Sequence, residues 1–245
     1  MIHTLLETHR HLEKHGFPVP QIVTEGAERE EAYFIERSLG EKRLLELFEN
    51  DTQKNGAVSE SNFSAFLNVI SHFLAAQIRS EKRITHATTF ADLVQLNQLQ
   101  SELPQYSERI DRLFREHVRA VSGFPFVVTH GDLNPANMYP TGVIDFEDVA
   151  SGPLGYDAAC AITIQEWFPS SREYEYFERY VFKPDQISRY FAHCDEILGN
   201  AGYKGFTIAY PHFEFFRAIW LAAGMSKWLK LQKYRHDLFI EKYLS

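Results

Sequence analysis

Residues 126–157, FVVTHGDLNPANMYPTGVIDFEDVASGPLGYD, constrain this chain more than any other stretch. The apolar run Phe126-Val127-Val128 reads as a strand ending in His130-Gly131-Asp132. A polar loop then carries Asn134 and Asn137 before a second apolar pair, Val143-Ile144, delivers Asp145. Pro140-Thr141-Gly142 is a turn signal, because proline presets one backbone angle and glycine permits a positive one. The spacing predicts a tight hairpin with Asn137 and Asp145 at its open end. Asp132, Asn137 and Asp145 then converge on one small volume. Any one of them alone would be an ordinary turn or capping residue, and only the set points to chemistry.

An amide and a carboxylate, with no Cys or His, suit a hard cation such as Mg²⁺, which takes oxygen ligands together with phosphate and water. Asp132 is left as a base, and phosphoryl transfer needs one carboxylate to orient the attacking hydroxyl and accept its proton. The run from His130 to Asn137, HGDLNPAN, followed by Val143-Ile144-Asp145-Phe146-Glu147-Asp148, resembles the catalytic loop and metal-binding segment of the aminoglycoside phosphotransferase and choline kinase-like family, relatives of protein kinases. The resemblance implies an α+β, protein kinase-like two-lobed fold with a truncated small N-lobe and a mainly helical C-lobe. It implies ATP, or another nucleoside triphosphate, as phosphoryl donor, Mg²⁺ as cofactor and a small-molecule hydroxyl as acceptor. By the same resemblance Asp132 is the catalytic base, and Asn137 and Asp145 are the metal ligands. His130 supports the loop, and Asp157 in Gly155-Tyr156-Asp157 is a buried carboxylate bracing it. Asn134 and Ala136 stand where the family often has His and Gly, and the hairpin is short, with eight residue steps from Asn137 to Asp145.

Ahead of this motif, residues 1–15 read as a helix stopped by Gly16, and Phe17-Pro18-Val19-Pro20 forces extended chain. Residues 21–24 and 32–36 read as antiparallel strands joined by a charged loop over 26–31, with Ser38-Leu39-Gly40 ending the second. The resemblance makes residues 34–40 the hinge, where the Glu36 carbonyl and the Ser38 amide hold the adenine. Residues 1–40 are then the remnant of the small lobe, and 41–245 the helical lobe. A kinase-like small lobe should also carry a Gly-rich loop and a strand Lys. Only Gly16, Gly26 and Lys14 precede the hinge, and Glu7 and Glu13 read as solvated helix charges. Truncation of a family member is favoured over a natural short form. The same absence motivates an alternative, a non-catalytic ligand-binding relative. A metal-dependent phosphoesterase using His130, Asp132, Asn137 and Asp145 is weaker, since two-metal hydrolases need more ligands than this motif holds.

A net charge of −8 and the lack of any Lys/Arg run exclude a nucleic-acid footprint, and lean mildly toward cationic substrates. No apolar run has signal-peptide or membrane-spanning length, so a cytoplasmic protein without membrane contact is expected, with Cys160 and Cys194 as buried thiols. Periodicity predicts helices over 41–50, over 63–78 with Ser61 as cap, from a Thr89–Asp92 capping box to Leu103, and through Ile110 to Val121. Further helices are expected after Asp157, over 171–182, 184–198 and 211–232, and at the C-terminus. The aromatics Trp167, Tyr174, Tyr176, Phe177, Tyr180, Phe213, Phe215, Phe216 and Trp220 suggest a cage for a quaternary ammonium, but helical spacing favours core packing. Glu166, Glu173, Glu175, Glu178 and Glu214 fit either an acidic cleft or a solvated face.

Overall fold

The apolar stripe Phe63, Phe66, Ile70, Phe73 and Leu74 recurs at three- and four-residue spacing, and each of these side chains is buried. The helix that carries it, α3 (Glu60–Arg79), is the longest in the computed structural model, which describes residues 2–28, 31–80, 89–146, 149–163, 167–224 and 227–245. Before it come α1 (Ile2–Lys14), the antiparallel pair β1 (Ile22–Glu28) and β2 (Glu31–Glu36), and α2 (Leu44–Asn55). After it come the short α4 (Phe90–Leu93) and α5 (Leu96–Glu102), then α6 (Ser107–Ala120) and β3 (Phe126–Thr129). The motif region holds the hairpin β4 (Met138–Tyr139) and β5 (Gly142–Val143), then β6 (Ala150–Pro153) and α7 (Tyr156–Thr163). Helices α8 (Pro184–Asn200), α9 (Phe206–Ala222) and α10 (Leu229–Phe239) complete a mainly helical chain with three small two-stranded sheets. Among the described residues no helix is long and apolar enough to cross a membrane.

Several expectations are corrected by local chemistry. Helix α2 runs past residue 50 to Asn55 and stops where Gly56 takes a left-handed conformation at φ +77°. Ser59 caps α3 instead of Ser61, its hydroxyl accepting from the Asn62 amide. The Thr89–Asp92 capping box forms, but Gln95 at φ +59° breaks the helix that was to reach Leu103. Strands β1 and β2 run longer than expected and pair from Ile22–Glu36 to Glu28–Glu31.

Residues 171–182 form turns and extended chain, not a helix. Tyr180 and Phe182 are buried while Val181 between them is exposed, a period of two that places both rings against Phe48. The backbone is tied across, Val58 N–H donating to the Val181 carbonyl and Val181 N–H to Thr52 Oγ1. The helix predicted over 211–232 is two helices. Ala223 is extended and Gly224 left-handed, which ends α9. At its other end α9 begins at Phe206, so Pro211 lies inside it. Burial of Phe206, Ala209, Phe213 and Phe216 offsets the roughly 3 kcal/mol that an interior proline costs.

Helix α7 is buried at every position, and its small residues Ala158, Ala159 and Ala161 let it pack closely on α9. Both cysteines are buried and free.

On the α6–α9 contact, His117 and His212 share an Nδ1 to Nδ1 hydrogen bond of 2.9 Å, and His117 stacks on Phe215 with ring centroids 4.1 Å apart. Burial, and then the neighbouring His212, hold the His117 imidazole down from 6.5 to about 4. Between those values the unfolded chain takes up a proton that the folded chain refuses. Stability is therefore lost as pH falls through that window, by roughly 1–2 kcal/mol after discounting for the ring's partial exposure. Urea midpoints at pH 7 and pH 4.5 should show this loss, and His117→Phe should lessen it; an undiminished loss in the variant would exclude the His117 origin.

Candidate active site

Strand β3 pairs antiparallel with β6, Val127 opposite Gly152, and this fixes where His130 and Gly131 leave the sheet. Gly131 has φ +84°, and a Cβ there would lie 2.6 Å from Leu93 Cδ1, so the turn requires glycine. Beneath it Asp157, in the first turn of α7, is fully buried and accepts from His130 N (2.9 Å), Gly131 N (3.0 Å) and Gln77 Nε2 (2.7 Å). Burial pushes the Asp157 carboxyl up, while the His130 ring and these N–H donors pull against that shift. Gln77 also donates to the Val128 carbonyl at 2.8 Å, which ties α3 to the strand.

His130 fastens the loop to the hairpin. Its Nε2 lies 2.8 Å from the Ile144 carbonyl, which can only accept, so Nε2 carries the proton and Nδ1 accepts from Asp132 N at 3.3 Å. Asn134 accepts from Ala136 N through Oδ1 (2.8 Å) and donates to the Asp132 carbonyl (3.1 Å), shaping the 3₁₀ turn Pro135–Asn137. Asn137 Nδ2 donates to the same carbonyl at 3.0 Å and reaches Asp132 Oδ2 at 3.4 Å. On its other side Asp132 Oδ1 accepts from Arg217 Nη2 at 2.5 Å, and Arg217 Nη1 donates to the Gly131 carbonyl at 3.2 Å. Arg217 is 1% exposed, and its guanidinium lies 4.0 Å from the centroid of the Trp220 ring. Burial works to lower this guanidinium, but the acidic groups around it, Cys160, Asp132 and Tyr156, raise it on balance, so it stays charged.

The hairpin turns at Pro140-Thr141 with Met138 opposite Val143. Ile144 N–H donates to the Asn137 carbonyl at 3.0 Å, and Val143 N–H to the Pro18 carbonyl at 2.7 Å. A Cβ on Gly142 would stand 2.4 Å from that Pro18 oxygen, and Thr141 Oγ1 donates to the Leu39 carbonyl. Asp145 follows at φ +70°, a left-handed conformation rare for a residue with a side chain.

Two cavities meet at Asn137 and Arg43, which line both. The smaller, about 330 Å³, is also bordered by Thr8, His9, Glu36 and Asp145, so it lies between the N-terminal segment and the end of the hairpin. His9 bridges its wall, Nε2 to the Pro20 carbonyl at 2.6 Å and Nδ1 to Glu36 Oε1 at 3.1 Å. Ser38 does not line it, its hydroxyl turning back to Gly40. The larger cavity, about 480 Å³, contains Asp132. Asn137 thus reaches Asp132, and it borders the smaller cavity together with Asp145, while the two carboxylates line different cavities. Among the described residues no group of three or more His, Cys, Asp or Glu is placed to hold a metal ion, and the Asp145 carboxylate has no partner.

The aromatic set divides. Trp167, Phe213, Phe215 and Phe216 are core, while Tyr176, Phe177 and Trp220 line the larger cavity together with Phe168 and Trp228. Of the glutamates only Glu178 lines it; Glu173 is near Lys230, Glu214 pairs with Lys242, and Glu166 lies outside the described residues. Arg43, Arg217 and Arg235 in these walls were not singled out from the sequence. For Arg217 a signal existed, one arginine inside the apolar run Phe213 to Trp220.

A glycine-turned loop between strand and hairpin, braced from below by a helix carboxylate, gives the motif the form its sequence implied and places the chain among phosphotransferases. The chain belongs to the phosphotransferase enzyme family (APH), that of aminoglycoside phosphotransferases and choline kinase-like proteins, whose family model matches residues 2–190. A search of curated proteins finds no significant match.

Proposed function

We propose that this protein transfers the γ-phosphoryl group of ATP to a hydroxyl of a small molecule. The observation that carries this reading is that Asn137 borders both cavities, with Asp132 in one and Asp145 in the other. The smaller cavity takes the nucleotide beside Glu36, between residues 2–40 and the rest of the chain, and the larger takes the acceptor.

The residues at their junction fit Mg²⁺. Asn137 donates through Nδ2, which leaves Oδ1 free, and the Asp145 carboxylate is unengaged among the described residues. An amide oxygen and a carboxylate are the donors a hard cation takes alongside phosphate. When bound, the ion neutralises charge on the phosphates.

The chain's own groups do the rest. Arg217 holds Oδ1 of Asp132 and so leaves Oδ2 to orient the acceptor hydroxyl. The acceptor oxygen bonds to the γ-phosphorus, the bond from that phosphorus to the β–γ bridging oxygen breaks, ADP leaves, and the hydroxyl proton passes to Asp132. Arg43 stands where the phosphoryl group crosses between the cavities, and its Nη1 is anchored on the Ala136 carbonyl at 3.1 Å.

The test is ADP release from ATP with a panel of sugars, amino alcohols and hydroxy acids. With Mg²⁺ at least one alcohol should raise ADP above background, and chelation should lower it by about 100-fold or more. A non-catalytic binder of the same ligands is the second reading. Nucleotide binding without ADP release for any alcohol would select that reading.

A further inference from the structure

We propose that the larger cavity receives an alcohol bearing an anionic group, carboxylate or phosphate, on a flat apolar body, with Arg235 as the counter-ion; this rests on the phosphotransferase reading above.

Arg235 is 1% exposed, yet it lines the cavity. Its Nε donates to the Trp167 carbonyl at 3.3 Å and its Nη1 to the Leu221 carbonyl at 3.0 Å, which fixes the guanidinium plane. Nη2 has no partner among the described residues, and no carboxylate among them pairs with this side chain. Desolvating a charge without a counter-charge is costly, and a ligand anion removes that cost. Burial, and then the nearby Arg217, hold the Arg235 guanidinium down to about 9.

The charge around the cavity agrees. Its wall holds four arginines, Arg43, Arg179, Arg217 and Arg235, against two carboxylates, Asp132 and Glu178. Asp132 is occupied by Arg217, Arg179 pairs with Glu49, and Glu178 is exposed. A quaternary ammonium would need free aromatic faces, but the Trp220 face carries Arg217 at 4.0 Å and the Phe168 face carries Arg235 at 4.9 Å. Cations already hold those faces and repel another. The chain's negative net charge, which leaned toward cationic substrates, is thus reversed inside this cavity. Tyr176 and Trp228, ring centroids 5.1 Å apart and nearly perpendicular, supply an apolar wall for the body of the molecule.

The test uses the full chain without nucleotide and measures binding by calorimetry for a matched series: 4-(hydroxymethyl)benzoate, its neutral carboxamide and its cationic aminomethyl analogue. Ribose 5-phosphate against ribose forms a second arm that separates phosphate from carboxylate recognition. At least one anionic member should bind about tenfold or more tighter than its neutral match, with the cation weakest. In Arg235→Gln that preference should fall to about threefold or less, while the neutral compounds bind as before. The proposal is overturned if neither anion binds, if neutral or cationic members bind as well, or if a folded Arg235→Gln protein keeps the preference. The ranking in the unmodified protein decides the matter even if the variant does not fold. ADP release with neutral or cationic alcohols and no preference for anions would sink this inference alone. Anion-selective binding with no ADP release from any alcohol would sink only the phosphotransferase reading.

Discussion

Asp132→Asn lowers ADP release by roughly 10²–10⁴-fold, the range that a positioned general base contributes. The substitution keeps the shape of the side chain and an oxygen for Arg217, but removes the proton acceptor. It also removes the charge opposite a guanidinium that is 1% exposed. Breaking a buried pair costs roughly 3–5 kcal/mol, and because the Asp132 side chain is itself 35% exposed a loss nearer 1–3 kcal/mol is expected. Turnover therefore has to be measured well below the variant's unfolding midpoint. Turnover within about threefold of the unmodified protein, in folded enzyme, would remove Asp132 from the mechanism.

The second large effect concerns stability. Asp157→Ala strands His130 N, Gly131 N and one N–H of Gln77 Nε2, whose other N–H keeps the Val128 carbonyl, in a fully buried site, each at a cost of about 1–2 kcal/mol. A total of roughly 3–6 kcal/mol is a large part of the 5–15 kcal/mol that holds a typical domain together, so poor soluble yield or a much lower urea midpoint is expected. Asp157→Asn should cost less. Burial already works against the charge on this carboxyl, and the amide keeps one acceptor. An alanine variant within about 1 kcal/mol of the unmodified protein would show that the loop does not depend on this brace.

The turn at Pro140-Thr141, the small-residue helix after Asp157 and the capping box at Thr89 were legible because each depends on neighbours in sequence. The residues that complete the walls were not. Arg217 meets Asp132 across 85 positions, and Gln77 reaches Asp157 across 80, so nothing local marks either contact. Residues 171–182 misled because their abundance of Glu, Arg and Tyr suits a helix, while burial alternates along the chain at Tyr180, Val181 and Phe182. The break at Ala223-Gly224 was masked by apolar residues that continue in register into the next helix. Helical spacing marked Phe213 and Phe216 as core, but it could not show that Tyr176 and Trp220 border a cavity, because that wall is assembled from segments far apart in sequence.

The clasp between Gly142 and the Pro18 carbonyl bears on how a ligand gets in. With the hairpin pinned there and at Leu39, the first forty residues cannot swing away like a jaw without first snapping the Pro18–Val143 bond. A jaw-like opening would thus cost backbone bonds, whereas moving the Arg43 side chain would cost its one bond to the Ala136 carbonyl.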